Sequence, residues 1–127
     1  MKKHEQIISS YFQSWVKGDH TLLRKIFTPD AIYSECYGPE YHGVDTIEKW
    51  FIDWQKHGTV LAWDIKQYIH QDRRIAVEWY FQCKYDEEVS EFDGMTLIEF
   101  DAEDRITSLK EFQSKLPHYF PYEEDAN

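Results

Sequence analysis

The chain has 127 residues, a net charge of −10, and 42% hydrophobic and 17% aromatic residues. This length predicts one domain, spanning residues 1–127, with a sizeable core. The acidic balance argues against nucleic acid and anionic membranes as partners, because both are bound mainly through Lys and Arg. No apolar run is long enough for a membrane span or a signal peptide. Cys36 and Cys83 show no metal-binding spacing, so we expect free thiols in a reducing cytoplasm.

The beginning of the chain predicts two helices. Residues 5–19 place apolar side chains at helical spacing, and Gly18 stands where a helix is expected to end. Asp19 is expected to cap a short second helix, which Pro29 ends. The inner face of that second helix is predicted to consist of Leu22, Leu23, Ile26 and Phe27.

A third helix is predicted over residues 46–58, with Asp45 as its cap. Its apolar stripe, at intervals of three and four residues, consists of Ile47, Trp50, Phe51 and Trp54. Between the second and third helices, residues 30–37 are β-prone and residues 38–43 form a turn-rich connection.

The second half of the chain changes to the two-residue period of strands. Four strand-like runs cover residues 59–71, 74–86, 89–101 and 105–115, and short polar turns separate them. Such runs form an antiparallel meander. Helices followed by strands predict an α+β fold, in which three N-terminal helices pack on a curved, mainly antiparallel sheet. The aromatic, then acidic, tail at 116–127 is expected to pack on the body or on a partner, or else to seal a cavity.

The element order resembles the cone-shaped nuclear transport factor 2-like fold, including its SnoaL-like branch. The stretches that carry the resemblance are YFQSWVKGD, FTPDAIY, HGVDTIEKWF, RIAVEWYF and FDGMTLIEFDAEDRITSLKEF, and it covers about residues 5–115. The resemblance implies a deep pocket between helices and sheet, and often a homodimer through the outer face of the sheet. It does not imply one function, because relatives include both enzymes and non-enzymatic binding domains.

Strand alternation predicts which side chains of the second of these strand-like runs point toward the helices. In residues 74–86 the apolar side chains share one face, so Glu78 is expected on the opposite, outer face. The inward set of that strand is Ile75, Val77, Trp79, Phe81 and Cys83.

Pairing across the hairpins predicts which side chains of the last two strands also point inward. A turn at residues 87–88 sets Trp79 opposite Thr96, and a tight turn at residues 102–103 sets Gly94 opposite Glu111. Gly94 would then leave room for a ligand or water above the carboxylate. A single bulge would reverse the last strand and leave Glu111 in solvent, so both alternatives stay open. In the tight-turn register the inward residues are Phe92, Gly94, Thr96, Ile98, Phe100, Leu109, Glu111 and Gln113, with Ile106 outward.

Glu111, Glu35 and Tyr33 are the candidate catalytic residues. Residues 30–37 do not sort by polarity, so either Tyr33 with Glu35 or Ile32 with Cys36 faces inward. If Glu35 and Glu111 both point inward, their like charges would raise one pKa, as in an acid/base pair.

The resemblance implies catalytic polar groups at the positions of Tyr33 and Glu35. In limonene epoxide hydrolase, a catalytic aspartate lies where Glu111 stands. The arginine and second aspartate of that enzyme have no counterpart at Val77, Trp79 or Phe81. The proton-donating acid of ketosteroid isomerase falls near Thr96. We therefore expect this chain to lack the complete catalytic residues of both enzymes.

The five tryptophans, Trp15 among them, either fill an ordinary core or gather around one cavity. Around an acid, such rings would suit a cationic or flat ligand. No HxH or HExxH spacing predicts a metal, and no motif predicts a cofactor. The expected ligand-binding residues are Trp50, Trp54, Trp63, Trp79, Phe81, Thr96, Ile98, Gln113 and His42, the last either near the mouth or simply on the surface.

Three functional hypotheses follow. The leading one is a small-molecule-binding domain with an aromatic, acidic pocket, assembled as a homodimer. The second is an enzyme of cyclase, isomerase or lyase type, with Glu111 or Glu35 as general base and Tyr33 as hydrogen-bond donor. The third is a protein-interaction domain that uses the outer face of the sheet, on which we expect Tyr80, Met95, Leu97 and Phe112.

Overall fold

The computed structural model describes residues 2–123, which form three helices packed on a six-stranded mixed sheet. The helices are α1 (Lys2–Lys17), α2 (Leu23–Ile26) and α3 (Val44–Gln55). The strands are β1 (Phe27–Ser34), β2 (Glu40–His42), β3 (Gly58–Gln71), β4 (Arg74–Tyr85), β5 (Glu88–Phe100) and β6 (Ile106–Lys115). The predicted α+β class and the order of helices and strands are confirmed.

The strands are arranged in the order β2-β1-β6-β5-β4-β3. β1 runs parallel to β6, and the other neighbours pair antiparallel. β2 lies inside the segment expected to be only a turn-rich connection, and it pairs with the end of β1. No helix within residues 2–123 is long and apolar enough to cross a membrane.

The second helix is shorter than expected. Phe27 is already extended, and both Phe27 and Pro29 belong to β1. The predictions that Phe27 lies in α2 and that Pro29 ends it are therefore wrong. Pro29 is tolerated because the pairing of β1 with β6 is irregular at this point, where a missing N–H costs no ladder bond. Asp19 does not cap α2 either: it accepts hydrogen bonds from the backbone N and the hydroxyl of Thr21, at 3.0 and 2.8 Å.

The start of α3 also differs from the prediction. The residue before its first turn is Gly43, with φ of 90°, and no side chain caps the helix. Asp45 lies inside the first turn and forms an ion pair with Arg24 at 2.7 Å. A positive φ favours glycine at the entry to α3, because other residues are strained there.

The hairpins keep the predicted faces but pair two residues away from the predicted register. Trp79 lies opposite Gly94, and Thr96 lies opposite Glu111. A shift of two residues leaves each side chain on its own face, so Glu111 still points inward. Near the start of β6, however, Glu99 pairs with Ser108 while the next residue, Phe100, pairs with Ile106.

This bulge inserts Thr107 as an extra residue and turns Ile106 inward, where it is fully buried. The prediction that Ile106 faces outward is therefore wrong. Because the extra residue precedes Leu109, Leu109 is buried as well as Ile106, and the inward face of β6 continues to Glu111.

The aromatic side chains of the tail are exposed, although His118 lies 3.2 Å from the Ser114 hydroxyl of β6. Tyr119, Phe120 and Tyr122 are 76%, 60% and 100% exposed. Residues 124–127, the acidic end of the tail, lie outside the described residues. Packing of the tail on a partner stays a prediction.

Candidate functional site

A cavity of about 760 Å³ is lined by the end of α3, the β1–β2 connection and the β4–β5 hairpin. Its volume lies within the roughly 300–1,000 Å³ common for small-molecule sites. Aromatic side chains form most of its walls. All five tryptophans of the chain line it, namely Trp15, Trp50, Trp54, Trp63 and Trp79.

Glu111 lies on the inner side of the sheet and lines this cavity. β1 and β6 are parallel neighbours, so the fully buried Tyr33 reaches Glu111 and donates its phenol proton to Oε2 at 2.5 Å. Burial raises the pKa of Glu111 to about 8; the Tyr33 hydrogen bond works in the opposite direction, and the charge of Glu35 adds to the rise. A carboxyl group in this range can change protonation state near neutral pH.

Glu35 follows the end of β1 and also lines the cavity. It accepts a hydrogen bond from Tyr41 Oη at 2.6 Å, and burial raises its pKa despite that bond. The ring of Tyr41 stacks on Trp50 with 4.5 Å between centroids. Glu35 is thus held against the aromatic wall, and Tyr33 and Glu35 both face inward.

Two buried residues of α1 extend the hydrogen bonding behind Glu111. Trp15 Nε1 donates to Tyr11 Oη at 2.8 Å, and Tyr11 interacts in turn with the hydroxyl of Tyr33. Burial, followed by the nearby charge of Glu111, raises the pKa of both tyrosines well above its usual value. These phenols therefore act as neutral hydrogen-bond groups around the carboxyl group.

Sequence reasoning missed Tyr41 and Tyr11 at this site. Tyr11 belongs to an apolar helical stripe, where a core residue and a site residue look alike. Tyr41 lies opposite Tyr33 in the β1–β2 pair, so recognising β2 in the sequence would have placed it on the inward face.

The two cysteines, Cys36 and Cys83, also line the cavity and are unpaired. Burial raises the pKa of Cys36 to about 12, with smaller effects from Glu111 and Glu35. Burial also raises the pKa of Cys83. Both are neutral thiols near pH 7, which makes them poor nucleophiles.

Four of the nine expected ligand-binding residues do not line the cavity. Thr96 and Ile98 are fully buried beneath it, and Thr96 accepts a hydrogen bond from Trp79 Nε1 at 2.8 Å. Thr96 therefore fixes the Trp79 ring from the core side. Gln113 is exposed at the end of β6, and His42 is exposed beside Glu40, with 2.9 Å between Nε2 and Oε1. The other five, including Phe81, do line it.

Gly94 does not open space above Glu111, as the sequence suggested. A Cβ at this position would overlap the Trp79 ring and the carbonyl oxygen of Phe112. The space left by the missing side chain is filled by Trp79, so the function of Gly94 is to let that tryptophan lie across the sheet.

The comparisons with known proteins fit this geometry. The model of the SnoaL-like domain matches residues 8–109. The chain belongs to the SnoaL-like domain family of the nuclear transport factor 2-like superfamily. No curated protein sequence matches this SnoaL-like domain.

Solved structures share the fold of this SnoaL-like domain at low sequence identity. An LEH-like epoxide hydrolase from M. tuberculosis has 12% identity over 89% of this chain and 84% of its own, with a TM-score of 0.79. A protein of ketosteroid isomerase-like fold from Catenulispora acidiphila, solved with trimethylamine, has 17% identity over 87% of this chain and 85% of its own, with a TM-score of 0.75. A protein described as a SnoaL-like polyketide cyclase from Shewanella denitrificans has 14% identity over 90% of this chain and 92% of its own, with a TM-score of 0.72. These likenesses show the fold, and the differing activities leave the function to the site itself.

Proposed function

We propose that this SnoaL-like domain binds a small organic molecule in its aromatic, acidic cavity. The observation that carries the proposal is a cavity of about 760 Å³ whose walls include all five tryptophans and the hydrogen-bonded Tyr33–Glu111 pair. Aromatic walls with few convergent polar groups are typical of small-molecule sites. The Catenulispora acidiphila neighbour, solved with trimethylamine, supports small-molecule binding by a protein of this fold.

A thermal-shift screen tests the proposal. Ligands that bind the folded state stabilise it, and the melting temperature rises with the ratio of the free ligand concentration to the dissociation constant. We expect a subset of small aromatic or amine compounds to stabilise the wild type and to stabilise Glu111→Gln less. Glu78→Gln is the matched control, because Glu78 lies on the outer face and hydrogen-bonds only Gln67 among the described residues. If no compound stabilises the wild type, the proposal fails; if ligands stabilise Glu111→Gln equally, Glu111 is outside the site.

The second candidate function is a proton-transfer enzyme of cyclase, isomerase or lyase type. It is favoured by Glu111, whose pKa of about 8 suits a general acid or base at neutral pH. Tyr33 would orient the carboxyl group. The test is deuterium incorporation at the α-carbon of a small ketone in D₂O, followed by NMR. Exchange by the wild type that Glu111→Gln loses would support catalysis, and equal exchange by both proteins would exclude this role of Glu111.

We further propose a homodimer through the outer face and a reducing compartment such as the cytoplasm, which the two unpaired cysteines support. A cavity in place of a filled core favours the two hypotheses above over a domain that serves only to bind other proteins.

A further inference from the structure

We propose that the ligand of this cavity is an organic cation, a quaternary ammonium or protonated amine group, with Glu111 as its counter-charge. This inference rests on the proposed small-molecule site and names the class of its ligand. Two observations support it: the cavity holds acids without basic partners, and aromatic rings lie beside these acids. The raised pKa of Glu111 then supplies a test.

The cavity contains carboxyl groups that no basic side chain neutralises. Within residues 2–123, neither Glu35 nor Glu111 forms an ion pair. The lining Lys56 is already paired with Asp53 at 3.5 Å, and the lining His57 lies 3.1 Å from Asp86. A carboxylate in an apolar cavity is costly unless a positive charge or a proton accompanies it. Before a ligand binds, a proton on Glu111 serves this purpose, and a bound cation can replace it.

Aromatic rings lie next to the acids. Trp50 stacks on Tyr41, the donor to Glu35, and its centroid lies 4.9 Å from that of Tyr33, the donor to Glu111. The Trp15 ring also packs against Trp50, with 4.9 Å between centroids. A methylated ammonium group beside Glu111 would therefore also contact aromatic rings, whose faces attract cations. A neutral ligand would contact the aromatic walls but would gain no attraction to the carboxylate, and the carboxylate would repel an anion.

Burial brings the pKa of Glu111, at about 8, close to neutral pH. Burial is the main cause that raises the pKa of each neighbouring phenol and thiol, so these groups stay neutral at about pH 6 to 9. Glu35, with a pKa raised from 4.5, is the other acid facing Glu111. The neutral groups that face Glu111 are Tyr11 on α1, Tyr33 on β1, Cys36 and Tyr37 in the β1–β2 connection, and Tyr41 on β2.

The sign of the pH dependence follows from these groups. Below about pH 8 Glu111 holds a proton, which a cation must displace. Affinity for a cation therefore rises about tenfold per pH unit until the pKa is reached and then levels off. Binding at pH 7 releases close to one proton. A neutral ligand of the same shape shows no such dependence.

Calorimetric titration with choline and with 3,3-dimethyl-1-butanol, the same skeleton without the charge, tests the inference at matched ionic strength. We expect choline to bind at least about tenfold more tightly than the alcohol at pH 8 and about tenfold more tightly at pH 7 than at pH 6. Titration in buffers of different ionisation enthalpy measures the released proton. The affinity of the alcohol should not change with pH.

Substitutions identify the counter-charge. Glu111→Gln should bind both probes equally and lose the pH dependence, whereas Glu78→Gln, which removes the same charge from the outer face, should behave as the wild type. The wild-type pH profile gives an independent result should Glu111→Gln fail to fold. Equal affinity for both probes, choline binding that does not vary with pH, or no choline binding overturns the cation inference. Other ligands found in the thermal-shift screen would still support the proposed small-molecule site.

Discussion

Glu111 should make the stability of the folded protein depend on pH. Its folded-state pKa, about 8, lies above the usual value of 4.5. The folded state therefore prefers the protonated form, and the stabilisation from this proton is complete below about pH 4.5 and is lost as pH rises through about 8. Glu111→Gln, which keeps the shape and removes the titration, should lose this decline.

The measurement is the free energy of unfolding by urea at several pH values between about 5 and 9. We expect wild-type stability to fall by a few kcal/mol across this range and Glu111→Gln to vary less. Glu78→Gln, on the outer face of the sheet, should reproduce the wild-type decline. Parallel curves for the wild type and Glu111→Gln would show that Glu111 has an ordinary pKa.

Gly94 lies where two strands and the Trp79 ring pack closely. A Cβ there would overlap the Trp79 ring and the Phe112 carbonyl oxygen. Gly94→Ala should therefore destabilise the protein by about 1–3 kcal/mol, the usual cost of overpacking, and move Trp79. Urea unfolding measures the cost, and near-ultraviolet circular dichroism detects the ring. Thr59→Ala, at an exposed strand position, is the control and should change neither; a fully stable Gly94→Ala with an unchanged tryptophan signal would contradict the packing.

At the level of elements, the bulge at Thr107 decides which side chains of β6 face the cavity. It allows Ile106, Leu109 and Glu111 to lie on the inward side together. Deleting Thr107 would restore strict alternation and force either Ile106 or the pair Leu109 and Glu111 outward. We expect a loss of at least about 3 kcal/mol in unfolding free energy, as for removal of a large core side chain. Thr107→Ala keeps the bulge and should cost less than about 1 kcal/mol; equal stability of the two variants would mean that the bulge does not set the register.

The same region shows what the sequence can and cannot predict. The helical stripes of α1 and α3 and the alternation of β4 identify the buried faces, because periodicity depends on local chemistry alone. The register of β5 against β6 and the bulge at Thr107 depend on turn geometry, which residues 101–105 do not specify. The inward position of Glu111 was predictable only as one of two alternatives for this reason. The filling of the space at Gly94 by Trp79 depends on packing between strands, which no single stretch of sequence reveals.

At the level of the whole molecule, the outer face presents apolar side chains on neighbouring strands. Met95 pairs with Phe112, and Leu97 lies beside them on the same face. Phe112 is 49% exposed and Leu97 is 38% exposed. Charges of both signs, such as Lys66 with Asp93, accompany these residues, so a second copy can meet the face with opposite charges.

The proposed homodimer predicts that one charge in this apolar patch separates the subunits. Phe112→Asp would bury an unpaired carboxylate against a second copy, which costs more than a dimer of ordinary size can supply at micromolar concentration. Light scattering coupled to gel filtration should show the mass falling from that of two chains to that of one. Ile52→Asp makes the same change at an exposed position of α3, away from the outer face, and should leave the mass unchanged. Because Phe112 lies on the opposite side of the sheet from Glu111, choline binding should survive in Phe112→Asp. A wild type that is already monomeric would refute the dimer and would leave the proposed ligand site unaffected.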